Sequence, residues 1–347
     1  MSDITIRVTG RAGRITLTRP KALNALSYEM CLAIDAALKD WASDDNVKLV
    51  VIDAEGEKAF CAGGDIQEMY DTGTKGNYDY GRRFWRDEYH MNARIFEYHK
   101  PVVSFLQGFT MGGGVGVGCH GSHRIVGESS QIAMPEVGIG LVPDVGGSLM
   151  LALAPGRLGE YLGTTAARMN AADAIFAGFA DHFIPEAQWP ALVAALEETG
   201  DPAVLDSAIT EAPTGKLPGL LAEISSHFGG EDLTAVLNSL KSDSSEFAKV
   251  TLKSLGRNAP LSMACTIEMI HRLRGQRLTI RTALEMEYRF THRSMEQGDF
   301  LEGIRALIID KDRTPKWQHA DQAVPGSAVS ALLRPLGADG LSFEEEV

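Results

Sequence analysis

Gly108-Phe109-Thr110-Met111-Gly112-Gly113-Gly114-Val115-Gly116-Val117-Gly118 is the stretch on which the reading of this chain turns. It follows Lys100-Pro101 and the apolar run Val102 to Leu106, which reads as a strand. A strand, a turn and a helix beginning near Gly113 set backbone N–H groups free at a helix start, where they stabilise an anion. Glycine also lets a ligand carbonyl approach the backbone closely. A dinucleotide site is the competing reading, because Gly116-Val117-Gly118-Cys119-His120-Gly121 formally matches GxGxxG. That fingerprint belongs in the first turn after a strand, whereas here it begins ten residues after Leu106. The dinucleotide reading fails on context, and no GxxxxGK[ST] phosphate loop occurs. A second loop, Cys61-Ala62-Gly63-Gly64-Asp65, also follows a strand. Two N–H donors from two such loops on one carbonyl oxygen are the machinery of acyl-group chemistry. Tight turns are the plain alternative for both.

Working outward, Ile4, Ile6 and Val8 alternate with polar residues, and after a glycine turn Ile15 and Leu17 do the same, so a β-hairpin is predicted. Ser27 is placed to cap a helix that buries Met30, Ala33, Ile34, Ala37, Leu38 and Trp41. Leu49 to Asp53 is an apolar run of the kind found in a strand covered on both faces. A helical stretch spans Trp85 to Tyr98, and Arg124-Ile125-Val126 reads as a strand. Strand and helix alternate to about residue 190, which predicts an α/β fold. From there Ala, Leu, Glu and Lys dominate. The expected division is residues 1–190 as an α/β core and 191–347 as a mostly helical region, less ordered after Trp317.

With 347 residues the chain can bury a full core without staples. Its net charge of −13 argues against a broad nucleic-acid footprint, though a local basic pocket for a phosphorylated ligand remains compatible. Cys31, Cys61, Cys119 and Cys265 form no CxxC and no Cys–His ligand spacing, so reduced thiols are expected and a metal site is not. No apolar run approaches the ~20 residues of a membrane helix, and the N-terminus MSDITIRVTG lacks a signal or transit pattern. The expectation is a cytoplasmic protein with no membrane or nucleic-acid partner.

Arg19-Pro20-x-Ala22-Leu23-Asn24-Ala25-Leu26, Ala59-Phe60-Cys61-Ala62-Gly63-Gly64-Asp65-Ile66, Gly108-x-x-Met111-Gly112-Gly113-Gly114 and Met134-Pro135-Glu136-x-Gly138-Ile139-Gly140 resemble the crotonase (enoyl-CoA hydratase/isomerase) superfamily in order and interval. The resemblance implies a spiral of ββα turns, a bound coenzyme A thioester and an oxyanion hole made by the N–H groups of Gly64 and Gly113. No separate cofactor is implied, since coenzyme A is part of the substrate. Gly63 and Asp65 in the same loop, and Lys21 beside Pro20, are expected to meet the substrate. A homo-oligomer is left open, because the C-terminal helices that build trimers elsewhere in the superfamily are altered and extended here.

Hydratases of this superfamily resemble one another in using two glutamates, three and twenty-three residues after the oxyanion glycine. Here those positions hold Gly116 and Glu136, so paired carboxylates cannot hold a water and ordinary hydration is disfavoured. A second acid stands instead at Asp144, in Pro143-Asp144-Val145-Gly146-Gly147. That pattern, Phe84-x-x-x-Glu88-Tyr89, Met286-Glu287-Tyr288-Arg289 and the run from Asp299 to Trp317 are similar to the 3-hydroxyisobutyryl-CoA hydrolase branch, an enzyme class of valine breakdown. The resemblance then implies that Glu136 acts on the acyl carbon as nucleophile or on water as base, and that Asp144 assists. Glu88 would accept a hydrogen bond from the substrate's 3-hydroxyl. The alternatives are an isomerase using Glu136 alone and a non-catalytic acyl-CoA-binding protein.

Overall fold

The computed structural model describes residues 3–343 and divides the chain into two compact units that interleave along the sequence. The first unit comprises the residues up to Asp65, Asp87–Ala133 and Arg168–Pro218; the second comprises Ile66–Arg86, Met134–Ala167 and the residues from Gly219 onward.

Both sheets lie in the first unit. The strands are β1 (Ile4–Thr9), β2 (Ala12–Leu17), β3 (Leu49–Ala54), β4 (Ala59–Cys61), β5 (Val102–Phe105), β6 (Phe109–Met111), β7 (His123–Val126), β8 (Gln131–Ala133) and β9 (His182–Phe183). Six of them run in the order β1-β2-β3-β5-β7-β9 and three in the order β4-β6-β8. Among the strand pairs of the described residues, β1 and β2, the expected hairpin, are antiparallel and the others parallel. Successive strand pairs, β3 then β4, β5 then β6, β7 then β8, each place one strand in each sheet. That alternation is the spiral the resemblance implies. Parallel strands are buried on both faces, and Leu49, Val51, Val103, Phe105 and Ile125 accordingly join Trp189 and Leu196 in one core cluster. The capped helix forms over Tyr28–Ala42, with Ser27 Oγ accepting from the Met30 N–H at 3.3 Å.

After Phe183 every regular element among the described residues is a helix. In the second unit the fully buried Glu160 ties three segments together, facing Arg157 at 3.0 Å, His271 at 3.3 Å and Arg274. The chain beyond Trp317 departs from expectation. Gly326–Leu333 is a helix that packs on the helices Pro260–Arg274 and Ile280–Gln297. The reason is Arg293, only 6 % exposed. It donates to the carbonyl oxygens of Leu332 at 2.9 Å, Arg334 at 2.7 Å and Pro335 at 3.3 Å, satisfying a helix end that has no internal donors.

One side chain fixes the loop that leads to the second glycine motif. Leu23 and Asn24 both adopt left-handed backbone, with φ of 52° and 55°. Buried Asn24 donates to the Glu55 and Ala59 carbonyls, each at 2.9 Å, and accepts from the Arg19 N–H at 2.8 Å. Asn24→Ala leaves the buried Ala59 carbonyl without its donor, at a cost of roughly 1–3 kcal/mol. Urea unfolding should show a loss of that size, and a midpoint equal to wild type would refute the assignment.

Candidate active site

In the first unit, Leu26 pairs with Gly64 as a strand would. The Leu26 N–H donates to the Gly63 carbonyl at 2.9 Å, and the Leu26 carbonyl accepts from Asp65 at 2.8 Å. In such a bridge the N–H of the middle residue points away from the partner strand, so the Gly64 N–H is turned outward. Gly113 opens the helix Gly113–Gly118, after Gly112 at φ 50° and ψ −122°, a conformation reserved for glycine. Its N–H belongs to the first helical turn and has no acceptor within the helix. Among the described residues neither N–H donates to another protein atom.

The two glycines and Glu88 are brought together. A Cβ placed on Gly113 would lie 3.2 Å from the Gly64 nitrogen and 3.0 Å from Glu88 Oε1. Gly63, at φ +125°, and Gly114, whose Cβ would fall 2.1 Å from the Cys61 carbonyl oxygen, keep the two loops in backbone contact. Glu88 is 4 % exposed. The thiolates of the neighbouring cysteines are disfavoured: burial pushes Cys61 up to about 12, with the Glu88 carboxylate adding to the rise, and burial takes Cys119 to about 12 as well. Asp65 is engaged by Arg19 at 3.0 Å, so its carboxylate fastens the glycine loop. Lys21 is exposed on the short helical turn Pro20–Ala22.

The second unit carries the other two acids, each 4 % exposed. Glu136 opens the 3-10 turn Glu136–Ile139, which Ala259 grips by donating its N–H to the Val137 carbonyl at 2.9 Å. The end of that turn is pressed by backbone. A Cβ on Gly303 would meet the Ile139 carbonyl oxygen at 2.1 Å, and one on Gly140 the Asp299 carbonyl oxygen at 2.5 Å. The Asp299–Gly303 motif thus serves to seat the Glu136 turn. Asp144 precedes two left-handed residues, Val145 at φ 53° and Gly146 at φ 82°.

Glu287 is the functional residue that sequence reasoning left without a role. Fully buried on the helix Ile280–Gln297, it accepts from the Gly146 N–H at 2.9 Å, the Ser148 N–H at 3.0 Å and the Ser148 hydroxyl. It therefore holds the turn directly after Asp144. Burial pushes the Glu287 carboxyl up to about 8; its Ser148 and Gly146 hydrogen bonds pull it down, while Asp144 pushes the same way as burial. Burial, together with Asp144, thus favours the neutral form of Glu287, against the pull of its hydrogen bonds. Among the described residues no three His, Cys, Asp or Glu side chains gather as a metal-ligating set, and no helix is long and apolar enough to cross a membrane.

A family model described as enoyl-CoA hydratase/isomerase matches residues 12–333. The chain belongs to the enoyl-CoA hydratase/isomerase family. It is a crotonase-family enzyme acting on acyl-CoA, and its fold is the crotonase fold. One similar solved structure, described as an enoyl-CoA hydratase from Rhodobacter sphaeroides 2.4.1, is 55% identical with a TM-score of 0.94, covering 99% of this chain and 100% of that one. Another, described as a carnitinyl-CoA dehydratase from Mycobacterium thermoresistibile, is 36% identical with a TM-score of 0.94 and covers both chains in full, 100% each. A Rattus norvegicus relative, named 3-hydroxyisobutyryl-CoA hydrolase, mitochondrial, is 37% identical over 99% of this crotonase and 91% of its own length.

The raised Glu287 carboxyl has a pH signature with a definite sign. Below its ordinary value of 4.5 both folded and unfolded chains hold the proton; between 4.5 and about 8 only the folded chain does. Stability from this group is therefore lost as pH rises toward 8. Glu287→Gln removes the titration. Urea unfolding at pH 5, 6.5 and 8 should show the stability of wild type falling relative to the variant across that range, and parallel profiles would refute the buried neutral acid.

Proposed function

We propose that this crotonase is an acyl-CoA thioester hydrolase whose substrate is 3-hydroxyisobutyryl-CoA, with short 3-hydroxyacyl thioesters such as 3-hydroxypropionyl-CoA as further substrates. The observation that carries the reading is the buried, side-chain-free Gly116, which denies the site the second glutamate of a hydratase while Asp144 supplies an acid elsewhere. The name of the rat relative supports it.

The thioester oxygen is held by the Gly64 and Gly113 N–H groups. Donors aimed at a developing oxyanion act without reorganisation, and losing one typically costs about 2.7–4 kcal/mol. Glu136 either attacks the acyl carbon, giving an acyl–Glu136 anhydride that water then hydrolyses, or takes a proton from an attacking water. On both routes a tetrahedral oxyanion collapses with cleavage of the C–S bond. The thiolate takes up the proton that water supplies, and acid and CoA thiol leave. Asp144 orients the water. Glu88 accepts from the 3-hydroxyl, and a buried acceptor of this kind rejects a substrate that lacks its donor. Four buried, unbridged cysteines suit a reducing compartment, and we place the reaction in the cytoplasm.

A second reading has its own support. The Rhodobacter sphaeroides structure at 55% identity is described as an enoyl-CoA hydratase, and Glu136 alone could move a proton on an enolate. Free thiol from a 3-hydroxyacyl-CoA marks hydrolysis; hydration or double-bond migration of an enoyl-CoA without free thiol marks the other chemistry and overturns the proposal. Glu136→Gln should lower thiol release by about 10²–10⁴-fold, with near-normal turnover removing it from the mechanism. Glu88→Gln should narrow the preference for 3-hydroxyacyl over unsubstituted acyl thioesters in kcat/KM, and an unchanged ratio would remove Glu88 from substrate recognition.

A further inference from the structure

The second unit contains an open cavity of about 300 Å³ lined by Asp79, Arg82, Arg83, Arg86, His292 and Asp339. Ligand pockets begin at about this size. Three guanidinium groups in one cavity are unexpected in a chain of net charge −13. Arg82 and Arg86 stand four residues apart on the helix Asp79–Phe96, where like charges repel and lower helix stability. Part of that charge is answered within the protein. Arg82 faces Glu296 at 3.3 Å and Asp79 at 3.6 Å, and donates to the His292 carbonyl at 3.1 Å. Arg86 lies 5.9 Å over the Tyr288 ring and donates to the Tyr288 hydroxyl at 3.3 Å, which fixes the direction of its fork. Arg83 is exposed and, among the described residues, has no carboxylate within ion-pair distance. His292 adds no charge, because burial and then Arg82 press its imidazole down to about 4. Its Nδ1 is buried without a hydrogen-bond partner among the described residues.

We propose that this cavity is a phosphoryl-binding site in which Arg83 and Arg86 grip the anion, while Arg82, with its charge answered by Asp79 and Glu296, lines it together with His292 and the Asp339 carboxylate. Phosphoryl oxygens match the planar fork of arginine in pairs, and a dianion with three acceptor oxygens carries more charge and more acceptor sites for two guanidinium groups than a carboxylate does. The occupant is either the phosphorylated part of the thioester substrate, which rests on the function proposed above, or a separate phosphorylated ligand, which does not.

Calorimetric titration with inorganic pyrophosphate tests the site without any turnover. Wild type should bind, and Arg83→Ala, an exposed change whose thermal unfolding should match wild type, should bind at least about tenfold more weakly. Competition then assigns the source: displacement of pyrophosphate by free CoA identifies the substrate's own phosphates, and binding undisturbed by CoA identifies a separate ligand. Failure of wild type to bind pyrophosphate at millimolar concentration, or equal binding by the variant, overturns the proposal whatever reaction the enzyme performs.

Discussion

Two glycine loops touch backbone to backbone, and the acyl-binding half of the molecule depends on that contact. Gly114 admits the Cys61 carbonyl where a Cβ would sit, and Gly113 does the same for the Gly64 nitrogen and Glu88. A side chain at Gly114 would meet the Cys61 carbonyl oxygen at 2.1 Å and push apart the two loops that bring the Gly64 and Gly113 N–H groups together. The short parallel sheet β4-β6-β8 is thus less a source of stability than a ruler. Its strands are three residues each, and their task is to hold two peptide planes at a fixed spacing.

Much of this was legible before any coordinates. The hairpin, the Ser27-capped helix, β3, β5 and β7 declare themselves through period and apolar runs long enough to count. The small sheet does not: three residues cannot show a period, and Phe109–Met111 reads as part of a turn between glycines. The glycine pair and Glu88 were legible as members of a pattern, and their convergence became visible only through the β4–β6 register. Glu287 was hidden for another reason. It sits among Glu285, Arg289 and other charged residues, as a solvated helix face would, and its partners Gly146 and Ser148 are about 140 residues away along the chain. Nothing local distinguishes a buried acid from an exposed one.

The family hosts several reactions on one pair of amides, so the acids carry the choice among them. Here each acid has a different setting. Glu88 stands beside the amides, Glu136 rides a turn clamped by Ala259 and Gly303, and Asp144 is followed by a turn that a buried carboxyl holds in place. Glu287 braces that turn through the Gly146 and Ser148 hydrogen bonds, and burial with Asp144 raises its carboxyl above the ordinary range. Burial holds the nearby thiols well above the ordinary thiol range, which disfavours their thiolates.

The helix that presents Glu287 also carries Arg293, whose guanidinium is satisfied by carbonyl oxygens from the last turn of Gly326–Leu333 and the residues after it. The largely exposed stretch 318–325 is the covalent link that leads into this final helix, which packing and the Arg293 hydrogen bonds hold in place. A cut there would leave the helix held by packing and by these hydrogen bonds alone, so the burial of the Arg293 charge would depend on a segment no longer joined to the helix that carries it.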